Sequence, residues 1–216
     1  LGALPITIAG AVAAPHYIHN TTTLSDWQTA RNNPAPWAEL ESQKIILMLP
    51  SSYIRTLNDP VALLNQWDAV MDAEADLASI ARSRVRAERY LIDRDISSGY
   101  MHSGYPIMAP FDEATDLVSV PALRAGKWGY WHEVGHNHQW LPWVMQGTTE
   151  SSVNLFSIYV SETVFSIGRN LAHPSLTAAQ LGAEVIKALL ARTKVSASDV
   201  SEVIMGQVLT ATTGQN

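Results

Sequence analysis

The sequence contains no cysteine, no long apolar run and no excess of basic residues. Without cysteine it has neither disulfides nor thiolate metal sites. No stretch of about 18 apolar residues occurs, so we expect no membrane span. The formal net charge is −6, and the densest group of arginines, between residues 82 and 89, is interrupted by Glu88. Because a nucleic-acid binder usually carries a basic face, this charge argues against nucleic acid as a partner.

The sequence does contain enough apolar material for a core. Its 216 residues are 47% hydrophobic, which fits one sizeable folded domain rather than a disordered chain. We therefore interpret residues 1–216 as a single domain without internal repeats. The first residues lack both an initiator methionine and the basic start of a signal peptide, so we expect a processed product or an excised domain.

The first part of the chain, residues 1–125, is predicted to consist mainly of strands with one long helix. The apolar run KIILMLP predicts a buried strand. Asn58 or Asp59 can cap a helix with Pro60 in its first turn, and apolar residues at helical spacing extend it to about Arg82. Further strands are predicted in ITIAGAVAAPHYI, in RYLIDRDI and, in irregular form near a cleft, in SSGYMHSGYPIMAP.

The second part, residues 126–216, is predicted to be mainly helical. One helix extends to about Trp140, and TTESSVNLFSIYVSETVFSIG predicts the next. Two more are expected to begin near Thr177 and Asp199. Strands with one long helix, followed by several helices, predict an α+β domain.

The segment YWHEVGHNHQW, at residues 130–140, holds three of the seven histidines. On a helix, His132 and His136 lie one turn apart and about 40° from each other, so both leave the same face. Two imidazoles so placed can bind one zinc ion at about 2.0–2.1 Å each. Glu133 lies about 100° round from His132, where it can contact a water on the metal and act as a base. His138 points about 200° away from His136, and we predict a surface or hydrogen-bonded histidine there.

A hydrolytic zinc site needs a third protein ligand, which the motif does not supply. Glu150, at the start of the next predicted helix, is the favoured candidate, and Asn154 one turn later could hydrogen-bond a ligand histidine. Glu162 is the alternative. Since it lies about 120° around the helix from Glu150, the two carboxylates cannot both face the metal. A donor for the oxyanion of the reaction is predicted in Tyr159 or His102.

Two further features of the motif concern packing. Gly135 costs its helix about 1 kcal/mol relative to alanine. We therefore expect either a strand or the helix with the third ligand to pass close over its bare backbone. Nearby tryptophans either pack the core or form an aromatic wall for a sugar or an apolar side chain. These are Trp128, Trp131, Trp140 and Trp143.

With these residues in place, the sequence resembles the enhancin-like family of zinc metallopeptidases. That family includes viral enhancins, bacterial mucin-degrading proteases and immunomodulating metalloproteases. HEVGHNHQ and GTTESSVNLFSIYV match its H-E-x-x-H and G-T-x-E-x-x-x-N patterns, and NPAPWAELES, KIILMLPS and ISSGYMHSGYPIM extend the likeness over about residues 25–165. The positions of the two patterns are occupied by His132, Glu133, His136, Glu150 and Asn154.

The resemblance implies a gluzincin-like catalytic domain, with a twisted sheet over the active-site helix and a helical C-terminal half. It implies Zn²⁺ bound by His132, His136 and Glu150, and Glu133 as the catalytic base. The implied activity is that of an endopeptidase on glycoproteins, in particular an O-glycopeptidase acting on mucin-type substrates. The segment SSGYMHSGYPIM is expected to form the edge strand that lines the substrate.

Members of the family are usually exported and carry further modules. We therefore expect a secreted or cell-surface, bacterial protein that is part of a larger multimodular chain. Two other classes remain open. One is a glycan- or mucin-binding module with a structural or vestigial zinc site, and the other is a zinc hydrolase that cuts a bond other than a peptide bond.

Overall fold

The computed structural model describes residues 5, 7–140, 142, 144, 147–169, 171–172, 186–187, 189–190 and 192–202. The strands of this part are His16–Ile18 (β1), Trp37–Glu41 (β2), Ile45–Pro50 (β3), Glu88–Ile92 (β4) and Ile107–Ala109 (β5). They form one sheet in the order β1-β2-β3-β4-β5. β2 and β3 run antiparallel, and the other neighbouring pairs are parallel.

The α-helices bounded within the described residues are Leu24–Ala30 (α1), Pro60–Leu77 (α2), Ala114–Leu117 (α3), Val120–Arg124 (α4), Trp128–His138 (α5) and Thr149–Thr163 (α6). The strands all precede residue 110, and α5 and α6 follow them. This arrangement of a mixed sheet with helices is an α+β fold, as predicted. Among the residues that the structure describes, no helix combines the length and the apolar character of a membrane-spanning segment.

The predicted long helix, α2, begins at the predicted place. The side chain of Asp59 accepts a hydrogen bond from the backbone N–H of Ala62, and Pro60 occupies the first turn. The helix ends at Leu77, before the predicted end at Arg82. The reason is local: Ser79 adopts a left-handed conformation with φ of 56°, which no helix continues.

The core lies between one face of the sheet, α2 and α5. Alternate residues of β2 are buried, as the period of two along a strand requires, whereas the first three residues of the central strand β3 are all buried. From α2, the fully buried Trp67 stacks on Tyr130 and meets Trp131 edge to face, both of them on α5. A cluster of aromatic rings therefore holds α5, the helix with His132 and His136, against the sheet and α2. Because these rings are closely packed, moving them would cost free energy.

Some elements differ from the prediction in position, and some were not predicted. The segment ITIAGAVAAPHYI contains one short strand, β1, at its end, and residues 7–15 form none. The sequence did not predict α1, whose N-cap Thr23 accepts from the N–H of Asp26 and whose Trp27 is fully buried. β2 was not predicted either, and its Leu40 packs into the core between β1 and β3. α5 ends at His138, two residues before Trp140.

Two helices were predicted near the C-terminus. Thr177, the expected start of one helix, lies outside the described residues. At the expected start of the other, the structure has a short 3₁₀ helix, Ala197–Asp199, and residues 203–216 lie outside the described part.

Candidate metal centre

His132 and His136 leave the same face of α5, as their spacing predicts. Their Nε2 atoms are 3.1 Å apart, and their rings stand at 89° to each other. Glu150, in the first turn of α6, places Oε2 3.1 Å from Nε2 of His132 and 3.4 Å from Nε2 of His136. In a tetrahedral site with metal–ligand bonds of about 2.0–2.1 Å, donor atoms lie about 3.3–3.4 Å apart. The three groups therefore have the spacing of ligands to one metal ion.

The protonation of the two imidazoles follows from their second nitrogens. Nδ1 of His132 lies 2.9 Å from Oδ1 of Asn154, and Nδ1 of His136 lies 2.8 Å from Oε1 of Gln139. Since an amide oxygen only accepts, both Nδ1 atoms donate and carry the proton. Both Nε2 atoms then present bare lone pairs to each other and to a carboxylate, an arrangement of three acceptors that a cation would satisfy.

Gln139 is the residue of this centre that the sequence reasoning missed. Its amide NH₂ donates to the carbonyl of Thr149, at 2.8 Å, and to Oγ of Ser152, at 2.9 Å. These two bonds turn its oxygen toward His136 and tie the end of α5 to the start of α6. The available signal was its spacing of three residues after His136, which places it one turn along the same side of the chain.

Glu133 is half-buried beside the ligand pair. Burial raises the pKa of its carboxyl above the ordinary value of 4.5, and His132 and His136 oppose that rise. An elevated pKa brings a carboxylate closer to the proton affinity that suits a general base near neutral pH.

Gly135 lies where α6 crosses α5. A Cβ at this position would lie 2.8 Å from Cβ of Phe156 and 3.0 Å from Cγ2 of Val153, both on α6. The expectation of a close neighbour over Gly135 is confirmed, and the neighbour is the helix that carries Glu150. The bare glycine backbone therefore permits the short distance between the two helices of the metal centre.

Of the other sequence candidates, Glu162 and Tyr159 lie elsewhere. Glu162 is held by Arg169 at 2.6 Å, and Tyr159 faces α2 beside Asp76 and Arg82. Tyr159 is therefore not at the metal centre, as its separation of nine residues from Glu150 along one helix explains. His102 does lie close enough to Glu133 to influence its pKa.

His138 is hydrogen-bonded, as expected, but it is not a surface residue. It is only 6% exposed, donates from Nδ1 to the carbonyl of Val134, and accepts from Nη2 of Arg84 at 2.5 Å. Burial lowers the pKa of His138 to about 4, so its ring is neutral at physiological pH.

The tryptophans near the motif differ in burial. Trp131 is fully buried and stacks on Phe165, so it packs the core. Trp140 is 65% exposed at the end of the motif. Trp143 lies outside the described residues.

A second group with metal-ligand geometry is formed by His16, Glu39 and Glu41 on β1 and β2. Within it, His16 already pairs with Glu41 at 2.9 Å, and Glu39 pairs with Arg89. Because its charges are matched by protein partners, this group lacks the unmatched acceptors of the centre on α5 and α6.

The comparison with known proteins covers most of the chain. The family profile described as "Peptidase M60, enhancin and enhancin-like" matches residues 10–199. A TRPM8 channel-associated factor homolog from Xenopus laevis is 46% identical over 181 residues, an alignment that covers 82% of this chain and 20% of that protein. The chain thus spans about a fifth of the length of this relative.

Two solved structures share the fold. A conserved protein of unknown function from Bacillus anthracis str. Ames has a TM-score of 0.64 at 22% identity, covering 81% of this chain and 37% of that one. The M60 catalytic domain of ZmpC from Clostridium perfringens, in complex with the sialyl T antigen, has a TM-score of 0.53 at 16% identity, covering 69% and 32%. The predicted fold class is confirmed by these neighbours, and by its match to the family profile the chain belongs to the peptidase M60 family of enhancin and enhancin-like proteins.

Proposed function

We propose that this protein is a zinc-dependent endopeptidase in which His132, His136 and Glu150 hold the metal and Glu133 is the general base. The observation that carries the proposal is the convergence of two bare imidazole nitrogens and one carboxylate oxygen on a single point. Zinc suits this nitrogen and oxygen ligand set, and hydrolytic zinc sites use three protein ligands with one open position. When bound, zinc polarises a carbonyl and lowers the pKa of a water toward about 7.

The residues of the chain divide the remaining work. Glu133 takes the proton from the attacking water and delivers it to the leaving amine. Asn154 and Gln139 keep the two imidazoles in the Nδ1–H tautomer, which reserves Nε2 for the metal. The 77% exposed side chain of Glu150 lies at the open side of the centre, where a substrate can enter.

We further propose a mucin-type, O-glycosylated protein as the substrate. Membership of the enhancin-like peptidase family supports this, as does a structural neighbour solved with the sialyl T antigen. The exposed indole of Trp140 offers an apolar surface on which a sugar could stack. Such substrates accord with a secreted or cell-surface location. The chain spans only about a fifth of the length of its relative, which accords with a multimodular protein.

A second candidate function is binding without cleavage. It is favoured by the identity to a protein named as a channel-associated factor, which suggests a binding module with a structural or vestigial zinc site. A glycan or a membrane protein would then be the partner. Against this stands the half-buried Glu133 beside the ligand pair, since binding alone requires no base there.

Metal analysis together with cleavage of a mucin and its deglycosylated form tests both candidates. We expect zinc in the native protein and in Glu133→Gln, with turnover in that variant reduced about 10²–10⁴-fold or more. Glu150→Ala should lose zinc on dialysis, whereas the control Glu162→Ala should keep it, because Glu162 pairs with Arg169. Equal turnover in Glu133→Gln would contradict the proposed base. Binding of mucin without cleavage by the zinc-loaded native protein would favour the binding module, and cleavage of both forms a general protease.

A further inference from the structure

The edge of the sheet next to the metal centre ends in a short hairpin. His102 and Met108 exchange both backbone hydrogen bonds, with N–H of His102 donating at 3.1 Å and N–H of Met108 donating at 2.9 Å. His102 therefore forms an isolated antiparallel bridge to Met108 of β5, the last strand of the sheet.

The hairpin between these two residues is bound by a side chain of α5. The N–H of Gly104 donates to Oδ1 of Asn137 at 2.9 Å, and Nδ2 of Asn137 donates to the carbonyl of Gly104 at 2.9 Å. One side-chain amide thus satisfies both backbone groups of one residue, as a neighbouring strand would. Gly104 has a φ of 115°, a backbone conformation that residues other than glycine rarely adopt.

The amide of Asn137 is fully used, so its orientation is determined. Its Nδ2 also donates to Oε2 of Glu88 at 3.0 Å, and Glu88 in turn faces Nη1 of Arg84 at 3.5 Å. Arg84 also binds His138, the next residue of α5. A polar network therefore connects α5, the start of β4 and the hairpin.

We infer that Asn137 is a positioning residue, which fixes the hairpin of residues 102–108 relative to α5, the helix that carries His132 and His136. Asn137 directly follows His136 on α5, so its two hydrogen bonds to Gly104 couple the position of the hairpin to that of the histidine ligands. The catalytic consequence of this tie rests on the proposed peptidase function, whereas the tie itself is a property of the fold.

Hydrogen exchange of the full-length, zinc-loaded protein tests the inference directly. In Asn137→Ala the Gly104 amide loses its acceptor, and we expect exchange in the segment of residues 100–109 to rise about tenfold. Asn137→Asp should act similarly, because a carboxylate cannot donate to Gly104 and is repelled by Glu88. The control is Asn65→Ala, which removes an exposed asparagine of α2 that hydrogen-bonds His19. Hydrogen exchange of residues 100–109 should be unchanged in this variant.

Two further measurements separate positioning from general destabilisation. Zinc affinity should stay within about twofold of the native value in Asn137→Ala, because Asn154 and Gln139, not Asn137, orient the two histidine ligands. With a glycopeptide substrate, KM should rise about five- to tenfold and kcat should change less, because the hairpin, which is expected to line the substrate, is loosened while Glu133 keeps its place on α5.

Unchanged exchange at residues 100–109 in both variants would overturn the inference, and so would a loss of zinc as large as that of Glu150→Ala. If the native protein cleaves no glycopeptide, the proposed peptidase function fails. The exchange and zinc measurements then still decide whether Asn137 positions the hairpin.

Discussion

The two helices of the metal centre meet at Gly135, so a single methyl group there tests whether their spacing holds the ligands together. In Gly135→Ala the new Cβ would lie 2.8 Å from Cβ of Phe156 and 3.0 Å from Cγ2 of Val153. Cβ of Phe156 is fixed by its backbone and cannot be moved by a change of rotamer. Relief of the clash therefore requires movement of α6 relative to α5.

The size of that movement follows from the distances. Ordinary contact begins at 3.4 Å, so the shortest distance must grow by about 0.6 Å, the difference between 3.4 and 2.8 Å. Metal sites tolerate deviations of about 0.2 Å in ligand distance. Since Glu150 lies on α6 and both histidines lie on α5, the displacement acts directly across the site.

Two opposing terms decide the stability of Gly135→Ala. Alanine favours the helix by about 1 kcal/mol, and overpacking of a filled contact costs about 1–3 kcal/mol. We expect a net decrease of up to about 2 kcal/mol in the free energy of unfolding, measured with urea. Zinc affinity, measured by competition titration, should fall about 10- to 100-fold, the loss that is typical when the groups that orient metal ligands are disturbed.

Gly129→Ala is the matched control. It adds the same methyl group to the same helix, where the nearest atom is Sδ of Met101 at 3.1 Å, at the end of a flexible side chain. Zinc affinity should therefore be unchanged. If Gly135→Ala bound zinc as tightly as this control and unfolded with equal or greater free energy, the close approach of the helices would not control the metal centre.

Two other variants probe neighbouring features. Gln139→Leu removes the acceptor for Nδ1 of His136, so zinc affinity should drop about 10- to 100-fold while the protein stays folded by circular dichroism; unchanged affinity would show that this bond does not orient the ring. Glu74 is fully buried with no hydrogen-bond partner for either oxygen among the described residues, and burial raises its pKa well above 4.5. Because the pKa of Glu74 is raised in the folded state, its contribution to stability is fully present below pH 4.5 and is lost as pH rises through the folded-state pKa. Glutamine does not titrate, so Glu74→Gln should gain stability relative to the native protein as pH rises, by up to about 1.4 kcal/mol per pH unit. A pH-independent difference in urea unfolding between the two proteins would contradict this.

The elements that the sequence predicted well are those whose signals are local. Asp59 and Pro60 mark the start of α2, and KIILMLP is apolar enough to specify β3 on its own. β2 was missed because Pro34 and Pro36 precede it, and its strand conformation depends on pairing with β1 and β3. That residues 1–216 form a single domain stays a prediction.

What the sequence by itself determined is the relation of His132, Glu133 and His136, because the period of one helix fixes it within a single turn. Only the tertiary structure decided which carboxylate from α6 joins them, since that depends on how closely two separate helices pack at Gly135. The same holds for Gln139, whose amide is oriented by groups on α6. Periodicity sets neighbours along one helix, whereas packing between elements sets the distances that a metal ion requires.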